Sequence, residues 1–397
     1  MKPNSLVQMM AVTSLNLRSI PGRIGTTTVA LTGFAGVVAV LVGLLSIAEG
    51  FRAMHESAGA EDVAILLRAG ATDELGSQID QEPAKIAASA DHVARDAGGA
   101  LVSPELLTIA EVPLRASGMK ANFTLRGVTP VAPRLRRSFR IVKGRDRHPG
   151  TSELTVGLGA ASQFPDLRVG SDVVMGTSRW RIVGEHADGG GVAESEIWGD
   201  AAVLQNFLNR GPSYQSIRVR LDSADSMRRF TDAMGRDPRM NVRVFPERKF
   251  LADQSRMLVN IATAIGTTIG LLMGLGAIIA ALNAMYSAVA VRTKEIATLR
   301  ALGFGSGTVV SSLLAESLII GFAGGVVGAV LAYFAFDGMR ASTINFATYS
   351  QVTFAFTVTP ALLVQGVLYA LVLGLLSGLP PGLRAARMPL VEGLRGN

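Results

Sequence analysis

Long uncharged stretches dominate the hydropathy pattern of this chain. A bilayer with about 30 Å of hydrocarbon needs about 20 helical residues to cross it. Pro380 and Pro381 follow the last stretch and predict the end of its helix, while Thr359 and Pro360 are typical of its start. The pattern predicts a first span, a large gap and then three more spans, at residues 26–48, 257–291, 308–336 and 359–381.

The gap between the first two spans, residues 49–256, has the mixed pattern of a folded domain. Apolar and polar positions alternate as in strands, and other segments have helical periodicity. About 200 residues suffice to bury a core. We therefore expect an inserted α+β domain, with a division into two lobes left open. Strands are predicted at 154–157, 216–221 and 241–245, a hairpin at 172–184 around Gly176, and helices at 160–164 and 223–234.

Composition and charge support a membrane protein and predict its orientation. The chain is 49% hydrophobic and 17% charged, with mean hydropathy +0.36, too apolar for an ordinary soluble protein. Three short segments beside the spans carry the whole net charge of +7, and cytoplasmic segments are enriched in Lys and Arg. We expect cytoplasmic termini, an outer domain at 49–256, an outer loop at 337–358 and a cytoplasmic tail at 382–397, with no basic face left for nucleic acid. The charges are Lys2, Arg18 and Arg23; Arg292, Lys294, Glu295 and Arg300; and Arg384, Arg387, Glu392 and Arg395.

The start of the chain allows two interpretations. Several apolar residues fall near one helical face, although Val7, Val12 and Leu15 lie off it, and the pattern predicts an amphipathic segment at 1–25 on the inner membrane surface. The residues on that face are Leu6, Met9, Met10, Leu17 and Ile20. Ser46, Ile47 and Ala48 resemble a signal-peptide cleavage site, but the apolar run is longer than a usual signal core. An uncleaved first span is favoured.

The sequence offers little catalytic chemistry. It has no cysteine, four widely separated histidines and no Gly-Lys dipeptide, so a Walker A loop is absent and a metal site is not expected. Glu194 and Glu196 would share one face of a strand, but without a nucleophile an exposed loop or a partner contact is the better interpretation. Glu316 lies within the third span, where an ion pair at the inner interface is favoured over proton transport.

The segment between the second and third spans, residues 292–307, is the most informative. Ile296, Leu299 and Leu302 recur every third residue, and Arg292 can pair with Glu295 beside them. Gly303 then ends the helix. A short amphipathic helix here could present an apolar ridge to a soluble partner, and a charged topology anchor remains the alternative.

Glycine spacing predicts close helix packing. The second span has 35 uncharged residues, about 52 Å of helix, so part of it should extend beyond the membrane as a stalk unless it tilts or breaks. Small residues at every fourth position let helix backbones approach closely. Packing within one subunit is favoured for the third span, and a dimer seam stays open for the second. The glycines are Gly266, Gly270 and Gly274, and Gly321, Gly324, Gly325 and Gly328.

These segments together resemble a known family. The stretch from Arg292 to Gly303, the segment Leu314 to Leu318, the third-span glycines and the ending Arg384 to Arg395 resemble the FtsX-like permease domain of MacB-type, or type VII, ABC transporter permeases. Within the outer domain, pieces from Gly144 to Gly184 resemble the family's periplasmic core domain.

The resemblance implies a dimeric permease in the bacterial inner membrane that binds two cytoplasmic ATPase subunits, which carry the ATP and Mg. The second permease could be identical or different. The implied coupling residues are Lys294, Glu295, Ile296, Leu299, Arg300, Leu302 and Gly303.

The cargo stays open. Efflux with a periplasmic adaptor, and lipoprotein or lipid handling, are the main possibilities. An envelope regulator of FtsX type that controls a cell-wall hydrolase is the alternative. A sensor would need a cytoplasmic signalling domain, for which the inner segments are too short.

Overall fold

The computed structural model describes residues 24–113, 120–164, 166–344 and 350–389. These residues form two compact units. The helical unit takes its described residues from the ranges 1–49, 260–339 and 356–397, and the sheet unit takes its described residues from 50–259 and 340–355. The predicted amphipathic segment at 1–25 lies almost wholly outside the described residues, as does the end of the tail from 390 onward.

Ten helices follow one another along the described residues. In chain order they are α1 (Ile24–Ala58), α2 (Gln81–Ser89), α3 (Ala132–Leu135), α4 (Leu158–Gln163), α5 (Ala201–Phe207), α6 (Met227–Arg236), α7 (Glu247–Val291), α8 (Thr293–Ala301), α9 (Ser306–Phe336) and α10 (Pro360–Arg387). Short 3₁₀ turns lie at Val192–Ser195 and Ala224–Ser226.

Fourteen strands lie between them in the same described ranges. They are β1 (Val63–Arg68), β2 (Arg95–Asp96), β3 (Gly99–Ala100), β4 (Val102–Pro113), β5 (Lys120–Val128), β6 (Phe139–Gly144), β7 (Glu153–Gly157), β8 (Asp172–Met175), β9 (Ser178–Asp188), β10 (Ile197–Asp200), β11 (Ser216–Arg220), β12 (Val242–Pro246), β13 (Arg340–Ile344) and β14 (Gln351–Ala355).

Four helices of the described chain are long and apolar enough to cross a membrane: α1, α7, α9 and α10. α7 is a single helix of 45 residues, about 68 Å long. It begins ten residues before the predicted second span and continues without a break through the glycines that could have interrupted it.

The sequence predicted the start of the last long helix, α10, correctly but not its end. At its start the Thr359 side chain accepts a hydrogen bond from the Leu362 backbone at 3.3 Å. The prediction that Pro380 and Pro381 end the helix is wrong, because α10 continues to Arg387. An interior proline costs about 3 kcal/mol. Beyond the prolines, Ala385 is buried against Ile296, Val309 and neighbouring side chains, so tertiary packing holds the last part of the helix.

The third-span glycines lie where helices of the same unit cross. A Cβ added at Gly321 would come within 2.8 Å of the Ala370 carbonyl oxygen, and one at Gly325 within 2.9 Å of the Ala370 Cβ. Gly328 faces the backbone of Ala35 in α1. Such contacts leave no room for a larger side chain, so these glycines set the spacing of α9 against α10 and α1.

The second-span glycines also face neighbours in the same chain. A Cβ at Gly266 would lie 3.2 Å from Leu44, one at Gly270 would lie 2.6 Å from Leu41, and one at Gly274 would meet the Tyr369 hydroxyl. That hydroxyl donates a hydrogen bond to the Gly270 carbonyl at 2.9 Å. This face of α7 is therefore occupied by α1 and α10.

The sheet unit is built on one ten-stranded mixed sheet with the order β12-β1-β11-β4-β5-β10-β7-β9-β6, to which β8 adds on β9. β5 and β10 run parallel, as do β7 and β9. The expectation of an inserted α+β domain is confirmed. The first strand, β1, pairs with the last, β12, with Ala64 opposite Pro246.

The two largest hydrophobic cores of the sheet unit lie along this sheet. One contains Phe123, Leu154 and Trp180 with their neighbours, and the other contains Leu66, Ile217 and Phe230. Both cores are built from alternate positions of the strands, as period-two patterning requires.

The segment predicted as a simple loop at 337–358 contains a hairpin. β13 and β14 pair from Arg340 opposite Ala355 to Ile344 opposite Gln351. The Ser195 hydroxyl donates to the Thr353 carbonyl at 3.1 Å and accepts from the Thr353 amide at 2.9 Å. Thr124 bonds Ser350 at 3.0 Å. The hairpin is thus part of the sheet unit, although more than 80 residues separate it from β12.

Candidate functional site

The short helix α8 joins α7 to α9 and contains most of the residues predicted to couple to an ATPase. It ends at Ala301, and two residues later Gly303 has a φ of 93°, in the left-handed region that favours glycine. The amides of Gly303 and Phe304 bond the carbonyls of Arg300 and Leu299 at 3.1 Å each, which closes the helix end. A sharp turn into α9 follows.

The apolar side chains of α8 do not form one exposed ridge. Ile296 is buried against Met285, Val309 and neighbouring side chains of the same unit. Leu299 is half-buried, and Leu302 is 72% exposed. The expectation that all three share an outer contact face therefore does not hold for Ile296, since a three-residue recurrence drifts around the helix. Leu299 and Leu302 remain available at the surface of this chain.

Charged groups hold α8 to the helices around it. Arg292 is 5% exposed and lies 3.5 Å from the Glu316 carboxylate and 3.7 Å from that of Glu295. The ion pair that the sequence favours for Glu316 is therefore present. At the other end, Arg300 donates to the Met388 carbonyl at 2.5 Å. Lys294 and Glu295 are exposed, so α8 is anchored at both ends and free along its polar face.

A groove of about 780 Å³ opens beside the start of α8. Arg384 and Arg387, both exposed, lie one helical turn apart on its wall. The Arg384 guanidinium lies over the Tyr286 ring, 5.5 Å from its centre. The groove thus combines cationic and apolar surface, and its lining residues are Thr293, Pro380, Leu383, Arg384, Arg387, Met388 and Pro389.

The sheet unit contains a buried cluster of charges that sequence reasoning missed. Arg126 forms a two-point contact with Glu196, at 2.8 Å for both bonds. The same guanidinium donates to Glu74 at 2.9 Å and to Glu105 at 3.0 Å. All four side chains are at most 6% exposed, so each charge depends on the others for its compensation.

A second arginine extends this cluster to the ends of two long helices. Arg218 pairs with Glu105 and donates to Glu247 at 3.1 Å. Glu247 is the first residue of α7, and its other carboxylate oxygen accepts from the Ala60 amide, just after α1, at 3.2 Å. The buried Glu247 carboxylate therefore links the segment just before β1 to the segment just after β12, the first and last strands of this sheet.

The cluster shifts the ionisation of its members. Burial raises the pKa of Glu74, but the charges of Arg126 and Arg218 outweigh it and hold the pKa well below the usual range. The pKa of Glu105 is lowered in the same way, with Arg218 the strongest opposing charge. Glu74 and Glu105 therefore stay ionised at neutral pH, where they compensate the buried arginines.

His186 lies beside the cluster and is fully buried. Burial lowers its pKa to about 4, although the Ala193 carbonyl and Glu196 act in the opposite direction. Its Nε2 lies 3.0 Å from the Ala193 carbonyl oxygen, and its ring packs against Phe139 and Trp198.

The expectation of an exposed loop for Glu194 and Glu196 is wrong, since they are 8% and 4% exposed. Glu194 accepts hydrogen bonds from the amides of Asp188 and Gly190, at 2.9 and 2.7 Å. Glu196 belongs to the buried cluster. No local signal could have found this, because its partner Arg126 lies 70 residues earlier in the chain.

Four bilayer-length helices and a sheet domain inserted after the first of them define a multi-pass membrane protein of the one-plus-three type. Residues 27–236 match the MacB-like periplasmic core domain, and residues 262–390 match the FtsX-like permease C-terminal domain. The chain therefore belongs to the FtsX-like, MacB-type family of ABC transporter permeases.

Two curated relatives match part of the chain. The uncharacterized ABC transporter permease YknZ of Bacillus subtilis strain 168 is 29% identical over 133 residues, 34% of this chain and 31% of the relative. The macrolide export ATP-binding/permease protein MacB of Nitrobacter winogradskyi is 31% identical over 140 residues, 35% of this chain and 19% of the relative. The matches thus span about a third and a fifth of these relatives.

Two solved structures are similar to about half of the chain. The periplasmic region of MacB from Actinobacillus actinomycetemcomitans has a TM-score of 0.38 at 12% identity, covering 50% of this chain and 95% of that one. The extracellular domain of the noncanonic ABC-type transporter YknZ from Gram-positive bacteria has a TM-score of 0.36 at 15% identity, covering 46% and 99%.

Proposed function

We propose that this chain is the non-catalytic membrane subunit of an ABC transporter, and that a separate cytoplasmic ATPase docks on α8. The observation that carries the proposal is a helix fixed to its own protein by Ile296 and Arg292 while Leu299 and Leu302 stay accessible. Family membership supports an ATPase partner. The 397 residues contain no Gly-Lys dipeptide and hence no Walker A loop.

The proposed orientation places α8 and both termini in the cytoplasm and the sheet unit outside the inner membrane. Its support is the excess of Lys and Arg in the three short segments beside the spans. In this orientation the half-buried Leu299 of α8 and the exposed Leu302 just after it face the compartment that contains ATP.

Bonds at both ends of α8 allow a displacement of this helix to be passed to the helices around it. Arg292 ties its start to Glu316 in α9, and Arg300 ties its end to Met388 after α10. A packed element of this kind moves with its neighbours, since interiors are close-packed. α7 then runs unbroken to Glu247, whose carboxylate is bonded to Arg218 of β11. We propose that closure of the ATPase displaces α8 and that α7 passes the displacement on.

The permease is proposed to work as a dimer, homomeric or heteromeric. Isoleucines and leucines on α7 occur at intervals of four, seven, three and four residues, which keeps them near one face of the helix as in a coiled-coil seam, and they are between 36% and 64% exposed in this chain. The glycine face of the same helix already packs on α1 and α10. The proposed seam consists of Ile261, Ile265, Leu272, Leu275 and Ile279.

The proposed cargo step is export, efflux or the handling of lipoproteins or lipids on the outer side, with a periplasmic adaptor as a further partner. The name of the Nitrobacter relative, a macrolide exporter, supports export. Motion of the sheet unit is proposed to act on the cargo, so passage of cargo through the membrane helices is not required.

Replacement of Leu299 by aspartate tests the docking surface. Burying a leucine contributes about 1.5 to 3 kcal/mol, and a buried carboxylate adds a desolvation cost. Leu299→Asp should therefore weaken ATPase association at least about tenfold, since 1.4 kcal/mol is a factor of ten. Co-purification of the ATPase at equal membrane expression measures it.

Thr298→Asp is the matched control, because it adds the same charge at an exposed neighbouring position of α8. It should retain most of the ATPase. Equal recovery of the ATPase with wild type and Leu299→Asp would mean that α8 is only a charged turn.

A further inference from the structure

The groove beside α8 has the charge of an anion site. Its wall carries the exposed guanidinium groups of Arg384 and Arg387, and none of its seven described lining residues is acidic. The Arg384 side chain lies over Tyr286, and the Met388 carbonyl is held by Arg300. The contacts of Arg384 with Tyr286 and of Met388 with Arg300 hold the end of α10, which carries both arginines, against its neighbours.

An apolar stripe runs down α10 and ends at this groove. Its members follow one another at three- or four-residue intervals, so they share one helix face, and each is between 40% and 58% exposed. Arg387 continues the same series four residues after Leu383. From the first member to the last the stripe rises about 28 Å, close to the hydrocarbon thickness of a bilayer. It consists of Val364, Leu368, Val372, Leu376, Leu379 and Leu383.

We propose that this groove binds the headgroup of an anionic phospholipid whose acyl chains lie along the stripe on α10. Arginine guanidinium groups recognise phosphate oxygens through paired N–H donors, and two of them match one phosphodiester. Basic pockets between membrane helices at the cytoplasmic surface suit such headgroups. A free phosphate would leave the apolar surface of Leu383 and Pro380 uncovered. A lipid contacts both the arginines of the groove and the apolar stripe on α10.

A bound lipid at this place would act on the coupling helix. Thr293, the first residue of α8, lines the groove, and Arg300 at its other end holds Met388 of the same groove. A lipid bound in the groove would therefore hold α8 against α10. The binding itself does not depend on the proposed ATPase.

Native mass spectrometry of the full-length protein in detergent tests the proposal. Phosphatidylglycerol should bind at least about tenfold more tightly than phosphatidylcholine of the same acyl composition. The double variant Arg384→Gln, Arg387→Gln should lose that preference. Arg384→Lys, Arg387→Lys should retain part of it, since the charge remains without the planar fork.

Arg228→Gln, Arg236→Gln is the matched control, because it removes two exposed arginines from α6 in the sheet unit. It should leave the lipid preference unchanged. An excess of inorganic phosphate should not displace the phosphatidylglycerol, and displacement would assign the site to a soluble anion.

Equal binding of the two lipids by the wild type, or an unchanged preference in the Arg384→Gln, Arg387→Gln variant, would overturn the proposal. If that variant kept the lipid preference but lost the ATPase on co-purification, the groove would be part of the protein docking surface instead.

Discussion

Arg126 shows at the scale of one residue how closely burial and charge pairing depend on each other. Its guanidinium compensates Glu74, Glu105 and Glu196, all of which are almost fully buried. Removing one member of a buried ionic group costs about 3 to 5 kcal/mol, because the remaining charges lose their partner. Stability of the sheet unit should therefore depend strongly on this side chain.

Arg126→Leu should destabilise the sheet unit by about 3 to 5 kcal/mol. The chain has two tryptophans, Trp180 and Trp198, and both are buried in this unit, so their fluorescence during urea unfolding of the full-length protein reports on it. Arg134→Leu is the control, because its pair with Asp96 is over a third exposed and contributes about 1 kcal/mol or less. Equal midpoints for both variants would contradict a tightly coupled cluster.

His186 predicts how that stability depends on pH. Its folded pKa of about 4 lies below its unfolded value near 6.5, so between these values only the unfolded chain binds the proton. Its contribution is complete above pH 6.5 and is lost as the pH falls toward 4, by about 3 kcal/mol in all. Glu74 and Glu105, with lowered pKa values, add losses only below about pH 4.5.

His186→Gln should remove this slope between pH 6.5 and 4. Urea midpoints of the wild type and the variant, read by tryptophan fluorescence at several pH values, measure it. Asp188, whose pKa burial raises, is present in both proteins, so the difference between them isolates His186. Parallel pH profiles would show that His186 is not the group responsible.

Single residues were the least predictable level from sequence. Alternation in β11 correctly assigns Ile217 and Val219 to a core, but it assigns Arg218 to solvent, whereas both faces of this strand are buried. The cluster depends on pairings between strands far apart in the chain. Hydrophobic periodicity shows only which side of an element is apolar. It therefore could not predict that the opposite, charged side of these strands is buried as well.

At the scale of elements, glycine contacts decide how closely the helices pack. Gly321→Val in α9 would drive a side chain into the Ala370 carbonyl of α10, and overpacking of this kind costs about 1 to 3 kcal/mol. Gly36→Val is the control, since nothing lies within 4 Å of a Cβ at that position. SDS titration followed by helical circular dichroism measures both, and equal loss would contradict close packing at Gly321.

The long apolar elements were predictable because their signal is local. Each lies in one continuous run, and Thr359 marked the start of α10 through its own capping bond. The proline pair misled at the other end, since packing of Ala385 extends the helix beyond it. The hairpin at β13 and β14 was missed because its partner Ser195 lies 158 residues away from Thr353.

At the scale of the whole molecule, the absence of cysteine in the 397 residues makes the orientation directly testable. Thr177→Cys, in the exposed turn between β8 and β9, should react with a membrane-impermeant maleimide on spheroplasts. Ser306→Cys, exposed at the start of α9, should react only after permeabilisation. Labelling of Ser306→Cys on intact spheroplasts would contradict the proposed orientation.

The hairpin of β13 and β14 has a consequence for protein engineering. Because β1 and β12 are neighbours, residues 59–246 look like a cassette that could be exchanged between family members through two adjacent junctions. A chimera cut there would leave Thr353 and Ser350 behind, and the new domain would lack the strand pair that bonds Ser195 and Thr124. Functional grafts therefore need a third junction around residues 340–355, and natural recombination of these domains must respect the same discontinuous boundary.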